Sequence, residues 1–414
     1  MTTAGRPVRR TKKRLKLKEV NIKPKRPLKA RITSTFYIYA LFFLLLTGIL
    51  FYFQVIKGPS AQRSAIDQWI KTTTVPAERG EITDSTGSLL ATNSTVYKVL
   101  LWPQQISSGD KERVAAGLSR VLGTDYDKIL QYANSETIQE RVVKRRIDEQ
   151  TKAAVEALKL GGGVGIALDT MRYYPMGSLL SQVIGYTDID NRGQDGLEYA
   201  FNEALSGKDG KKSVETDSHG EPLPYGQTTY VEPEDGLDMV VTVNSVIQRY
   251  LEKALERAVE TNSAKTAQGI VMDCRTGAIL AMATKPGADL NDLPRNEDYF
   301  ADIMRNRLVC DVYEPGSTLK ILTLAAALDS GTASEDSSYY CSGSRSVNGE
   351  TVHCWRHAGH GSQTLTQTAE NSCNCAFMEM ALGMGKEKLY DYLYAFGLGQ
   401  RGSNDFKNEA SGIV

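Results

Sequence analysis

The sequence predicts a multi-domain α+β protein: an N-terminal transmembrane helix, a mixed domain, and a last domain with an antiparallel sheet flanked by helices. Three observations lead there. Phe36 to Ile56 is an uncharged apolar run of bilayer-spanning length. From about 57 to 235 the pattern is mixed and broken by glycine turns. From Leu237 onward a strand, an amphipathic helix, a hairpin and further helices follow one another, an order that favours helices packed on an antiparallel sheet.

The chain starts with a basic tail, residues 1–35. Thirteen Lys or Arg and one acid, Glu19, fall within its first 31 residues. Formal net charge over all 414 residues is zero, so the remainder is acidic, at roughly −12. An acidic body excludes nucleic acid as the main partner, because phosphate binding needs a basic face. The tail is expected to stay unfolded and to hold anionic lipid heads.

Residues 36–56 follow as the membrane helix. At 1.5 Å per residue they rise about 30 Å. Tyr37, Tyr39, Tyr52 and Phe53 lie towards its ends, where aromatic rings prefer the interface. The basic flank is N-terminal, so the tail is expected in the cytoplasm and the body outside. The apolar run is too long for a cleaved signal peptide, and no small-x-small cleavage site follows.

The body is divided here into 57–235 and 236–414. In the first part no long helix is expected, except over 110–160. In the second, Met239 to Val243 reads as a strand, and apolar residues from Val246 to Val259 recur at helical spacing. Gly269–Asp273 and Ala278–Ala283 flank the turn Arg275-Thr276-Gly277 as a hairpin. Helices are expected near 318–330 and 375–385.

Chemistry concentrates in Tyr313-Glu-Pro-Gly-Ser-Thr-Leu-Lys320. Pro315 and Gly316 mark a turn, and an Ala-rich apolar helix follows. Ser317 thus falls at a helix N-terminus, where free N–H groups and the dipole favour negative charge. Lys320 is three residues on, on the same face. A serine hydroxyl needs a base, and a lysine of lowered pKa can be one. Ser108-Gly-Asp-Lys111 has the same spacing, but in what reads as a polar turn with no apolar helix after it. Ser317 as a plain helix cap is the competing reading.

A second element, Ser372-Cys373-Asn374, directly precedes another apolar helix. A hydroxyl and a carboxamide two residues apart can both point into one cleft, to relay a proton and to hold a peptide group. Ser372 too could be only a cap. Ser346-Val-Asn348 before Gly349 reads as a hairpin turn. Three of the four histidines, His353, His357 and His360, cluster near Cys341, Cys354, Cys373 and Cys375. Their spacing matches no common zinc finger, and a chain outside the cytoplasm usually spends cysteines on disulfides. A disulfide is therefore expected in this group, with Cys354–Cys373 and Cys341–Cys354 the pairings to test. No metal or cofactor is assigned. Cys274 and Cys310 read as buried thiols.

These residues together resemble the class B penicillin-binding proteins. Ser317-x-x-Lys320 with Ser372-x-Asn374 is the motif pair of the penicillin-recognising serine enzymes. Arg79-Gly80-Glu-Ile82-Thr-Asp84, Gly87 and Leu90-Ala91 are similar to the family's N-terminal pedestal signature, although the family usually has Arg-Asn where Ser85-Thr86 stands. Arg172-Tyr-Tyr-Pro175, Gly185-Tyr186, Gly196-Leu-Glu198 and Leu205-Ser-Gly207 resemble the rest of the pedestal. Thr242-Val-Asn244, Gln248, Asp273, Thr276-Gly277, Ala281-Met282, Glu314-Pro-Gly-Ser317 and His360-Gly361 resemble the transpeptidase domain.

The resemblance implies a membrane-anchored peptidoglycan D,D-transpeptidase. Ser317 would attack the D-Ala-D-Ala carbonyl of a stem peptide and Lys320 would accept its proton. Ser372 would pass a proton to the leaving D-alanine, and Asn374 would orient the donor. β-Lactams would acylate Ser317. Other cell-wall or division membrane proteins would be partners, with the body outside the cytoplasmic membrane. A related D,D-carboxypeptidase or β-lactamase is one alternative, and a non-catalytic scaffold is another. The family's third element, Lys-Thr-Gly or Lys-Ser-Gly, does not occur in the sequence. On the resemblance a C-terminal part is expected to be missing.

Overall fold

The computed structural model describes residues 28–58, 70–215, 223, 228–402 and 406–414. Most of the basic tail, 1–27, lies outside them. Packing divides the chain into two compact units, one of residues 1–73 with 212–230 and one of 74–211 with 231–414.

The first unit holds helix α1, Leu28–Phe51, continued by a π turn over Tyr52–Ile56. Together they form a helix, Lys29–Ile56, long and apolar enough to cross a membrane. Its large side chains, Phe36 to Ile56, are exposed, as a lipid-facing surface requires. By length and composition this helix is suited to anchor the protein in a membrane. Strands β1 (Ile70–Val75), β6 (Gly210–Glu215) and β7 (Thr228–Val231) form a three-stranded sheet in the order β1-β6-β7.

The second unit opens on β2 (Ile82–Thr83), β3 (Leu89–Leu101), β4 (Arg141–Ile147) and β5 (Val164–Tyr173). The long β3 pairs antiparallel with β2, β4 and β5, and β2 pairs parallel with β8 (Met239–Val240). The strand expected over 239–243 is therefore only two residues long. Val241 still donates to the Thr83 carbonyl at 2.9 Å.

The expectation of one long helix over 110–160 is corrected. The segment holds α2 (Lys111–Leu122), α3 (Tyr126–Ala133), strand β4 and α4 (Glu149–Ala157). Gly123 ends α2 in the left-handed region, and the Asp125 carboxylate caps α3 by accepting the Lys128 N–H. Ser108-Gly-Asp110 is a turn, as expected, and the helix that begins at Lys111 is amphipathic rather than apolar. Val114, Ala115, Leu118 and Leu122 form its buried stripe, packed with Val99, Ile129 and Ile147. This second Ser-x-x-Lys therefore opens a structural helix of a core that contains neither Ser317 nor Lys320.

The motif residues of the pedestal meet at one buried carboxylate. Glu198 is inaccessible to solvent; it accepts from Arg79 Nε at 2.7 Å and from Arg172 Nε at 2.6 Å. Arg79 also reaches Asn202, Ser206 and the Glu198 carbonyl. Gly80 is required beside it, because a Cβ there would stand 2.0 Å from the Leu237 carbonyl oxygen. Asp84 accepts the N–H groups of Thr86, Ser88 and Ser245 and the Thr86 hydroxyl.

Helix α5 (Ser245–Asn262) follows, extending one residue before and three beyond the apolar periodicity of Val246–Val259. Asn244 caps it, and Gln248 is buried, accepting from the N–H of Met282 and donating to its carbonyl. Asn244 and Gln248 thus dock α5 on the hairpin β9 (Ala267–Met272) and β10 (Ile279–Lys285). The hairpin is the expected one. Cys274, expected to be buried, is exposed in its turn, and Cys310 is only half-buried. A separate apolar cluster then gathers α6 (Leu319–Asp329), β11 (Ser338–Cys341), β14 (Gly361–Thr364), α7 (Leu365–Glu370), α8 (Asn374–Met384) and α9 (Lys386–Ala395). Between them β12 (Ser344–Val347) and β13 (Glu350–His353) form a hairpin. Its turn is Asn348-Gly349, both at positive φ, as the sequence predicts.

Candidate active site

Ser317 lies in a single 3-10 turn, Gly316–Thr318, that feeds α6. Gly316 takes φ +60°, which permits the tight entry. Ser317 is exposed and forms no cap: neither the 3-10 turn nor α6 has a side-chain cap hydrogen bond. The plain-cap reading of Ser317 is not realised. Lys320 occupies the first turn of α6, half-buried.

Lys320 Nζ gathers the second motif around itself. It donates to the Ser372 carbonyl at 2.8 Å, to Ser372 Oγ at 3.1 Å and to Asn374 Oδ1 at 2.5 Å. It also stands 5.6 Å from the centre of the Phe377 ring. Packing of α6 on α8, through Ala326, Ala327, Ala376 and Met380, brings the motifs together. Burial lowers the Lys320 pKa from the ordinary lysine value, against smaller opposing effects of Cys354 and Cys373. A lysine so placed can exchange a proton with a neighbouring hydroxyl near neutrality more readily than a free one.

Ser372 does not cap α8, whose N-cap is Cys373 without a side-chain bond. Ser372 ends α7 instead. Its N–H donates to the Ala369 carbonyl and that of Cys373 to the Thr368 carbonyl, which is a Schellman ending. The residue at that corner is normally glycine, yet Ser372 holds φ +45°. A side chain there costs about 1–3 kcal/mol, and such strain gathers at functional positions. Asn374 uses its other end to donate from Nδ2 to the His353 carbonyl at 3.0 Å.

Behind this turn lies the cysteine group. The expected disulfide is not formed: Cys341, Cys354, Cys373 and Cys375 are all free and buried. The Sγ atoms of Cys341, Cys354 and Cys373 and a ring nitrogen of His360 all lie within 4.8 Å of one another. Cys354 Sγ is 3.7 Å from His360 Nδ1, while His360 Nε2 is buried without a partner. Burial pushes the Cys341 thiol up, but hydrogen bonding with His360 outweighs it and brings the pKa to about 6. Burial first, and then Cys341, push Cys375 up to about 12. Three sulfurs and one imidazole suit a tetrahedral Zn²⁺, so these four residues could hold one. The sequence reading assigned no metal here. Spacings of thirteen, six and thirteen residues fit no finger pattern, and only the convergence of β11, β13, β14 and the α7–α8 turn joins them.

Sequence reasoning also missed the His353 carbonyl, Phe377 and Trp355, none of which carries a motif. A cavity of about 320 Å³ bounded by Tyr186, Asp195, Phe300, Arg305, Cys310 and Phe406 touches none of the four motif residues.

Comparison with known proteins identifies two domains in this chain. Residues 74–241 match the penicillin-binding protein dimerisation domain, and 267–414 match the penicillin-binding protein transpeptidase domain. Stage V sporulation protein D of Bacillus subtilis is 35% identical over 375 residues, 90% of this chain. The chain spans 57% of that relative's length. A probable peptidoglycan D,D-transpeptidase, PenA, of Neisseria meningitidis is 28% identical over 97% of this chain and 68% of its own. Penicillin-binding protein PBP2 of Helicobacter pylori, solved in complex with MreC, has the same fold, with a TM-score of 0.68 and 23% identity over 83% of this chain and 69% of its own. Two domains in family order, a sporulation relative and a shared fold place the chain in one family: it belongs to the class B penicillin-binding proteins.

Proposed function

We propose that the protein is a peptidoglycan D,D-transpeptidase, and that Ser317, Lys320, Ser372 and Asn374 carry the reaction. The observation that carries the reading is the Lys320 Nζ hub, which ties the Ser-x-x-Lys motif to the hydroxyl and carboxamide of Ser-x-Asn.

In this reading neutral Lys320 takes the Ser317 proton as Oγ attacks the carbonyl of the terminal D-Ala-D-Ala bond. The C–N bond breaks, and the leaving D-alanine amine receives a proton through Ser372 Oγ. An amine of a neighbouring stem peptide then attacks the ester and gives up a proton. A cross-link forms and Ser317 is restored. Asn374, its Oδ1 on Lys320, keeps its carboxamide beside the donor peptide. β-Lactams would acylate Ser317 by the same first step.

The proposed organisation is a cytoplasmic tail over 1–35, a transmembrane helix over 36–56, a pedestal over 57–235 and a transpeptidase domain over 236–414. The basic N-terminal flank supports a tail in the cytoplasm and a body outside. Other membrane proteins of cell-wall synthesis are proposed as partners; a relative of the same fold was solved with MreC.

The test is labelling of membranes that contain the native gene product with a fluorescent penicillin. The band should label in the wild type and vanish in Ser317→Ala. A wild-type protein that never labels, yet still recruits division proteins, would make it a scaffold.

A further inference from the structure

We infer that Trp355 is a positioning residue that holds the Ser372 turn in its strained form. The inference rests on the transpeptidase reading for its consequence, but its geometry stands apart from it. Trp355 follows β13 and is 63% exposed, so its ring is held by few packing contacts and its hydrogen bond stands out. Its indole Nε1–H donates to the Asn371 carbonyl at 2.8 Å. Its ring meets His360 edge-on, with centroids 5.3 Å apart.

The carbonyl it takes has a particular place. Asn371 is the C-cap of α7, directly before the left-handed Ser372. The Schellman ending uses the carbonyls of Thr368 and Ala369, and leaves that of Asn371 outside the helix ladder. The indole N–H satisfies it. Two residues earlier, the His353 carbonyl accepts from Asn374 Nδ2. Segment 353–355 therefore grips 371–374 at both ends, and Ser372 sits between the grips. The clasp is itself fixed, because the Cys354 N–H donates to the Gly343 carbonyl at 2.9 Å. Without the indole bond, the φ +45° corner has less to hold it, and the Ser372 carbonyl and hydroxyl drift from Lys320.

Trp355→Phe keeps an aromatic ring near His360 and removes the N–H together with the five-membered half of the indole. Fluorescent-penicillin labelling of the native gene product in membranes, followed in time at several concentrations, separates the acylation rate from the affinity of the preceding complex. Expected is an acylation rate about tenfold lower, the scale of one hydrogen bond, with unchanged affinity and melting temperature. Trp355→Leu should lose no more than Trp355→Phe. Acylation of Trp355→Phe at the wild-type rate overturns the inference. So does a change in affinity alone, which would make Trp355 a ligand contact, or a rate loss matched by a fall in melting temperature. Hydrogen exchange of the 365–375 backbone reads the clasp without any ligand. It should be faster in Trp355→Phe, and unchanged exchange overturns the inference even in a protein that never labels. Failure of the wild type to label, or labelling of Ser317→Ala, sinks the transpeptidase reading instead.

Discussion

Asn374 presents its amide oxygen to Lys320 Nζ at 2.5 Å, so the electrostatics of the lysine depend on what stands at position 374. Asn374→Asp would replace a neutral acceptor by a charge. A carboxylate at this distance stabilises the ammonium and opposes the lowering that burial causes. Less neutral Lys320 is then present at pH 7. Penicillin acylation of Asn374→Asp is expected to fall by about 10²-fold at pH 7, the scale of one general-base effect, and to recover partly as pH rises. In the wild type the rate should rise with pH, with a midpoint below the free-lysine value. An Asn374→Asp profile that overlays the wild type would remove Lys320 from the base role.

Among the described residues, Glu198 is the only carboxylate that bonds the two buried guanidiniums Arg79 and Arg172. Removing one side of a buried, hydrogen-bonded pair leaves charge uncompensated. Glu198→Gln is expected to destabilise the fold by about 3–5 kcal/mol. Thermal unfolding of the two proteins measures it, and a loss within 1 kcal/mol would show that the arginines find other partners.

Asp84 joins sequence-distant segments by accepting the Ser245 N–H at 2.9 Å, next to the start of α5. Burial would raise its pKa, but hydrogen bonds from Thr86, Ser245 and Ser88 prevail and hold the carboxyl far below the usual range. A group depressed in the folded state contributes stability that is full above its unfolded pKa of 3.8 and is lost as pH falls through the folded value. Melting temperature should therefore decline as pH falls below about 4, and less steeply in Asp84→Asn. At pH 7 the variant should be less stable by about 1–3 kcal/mol, the cost of unpaired buried donors. Parallel pH profiles of both proteins would contradict this.

Cys341, Cys354, Cys373 and His360 should take up one zinc ion per chain when the reduced protein is titrated. Occupancy should raise the melting temperature by several degrees, since binding to the folded state alone contributes about 2.7 kcal/mol at a hundredfold excess over Kd. Native mass spectrometry counts the metal. Cys354→Ser and His360→Ala should each abolish the gain, and a melt indifferent to zinc would rule the site out.

Much of this chain was legible because it rests on local rules. A run of 21 uncharged residues needs no partner to be read as a spanning helix. Asn348-Gly349 can adopt positive φ where other residues strain, so the β12–β13 turn is visible in two letters. Ser317 and Lys320 lie one turn apart, and Pro315-Gly316 before an Ala-rich stretch places them at a helix start. Where local signals were weak the reading failed. Over 110–160 helical stretches were expected, but Gly123 and strand β4 break them into three short helices, and weak apolar periodicity did not reveal the breaks.

What the sequence by itself determined was the long apolar N-terminal helix, the β9–β10 and β12–β13 hairpins and the helix start at Ser317–Lys320. What only the tertiary structure decided was which residues meet. Lys320 reaches Ser372 and Asn374 across more than fifty positions, Arg79 reaches Glu198 across 119, and Trp355 reaches Asn371 around a strand and a helix. Each of these contacts forms because apolar faces of separate elements pack, and the polar groups carried along must then find partners. Side-chain spacing along a chain encodes the faces, but not the pairings that burial imposes once those faces close.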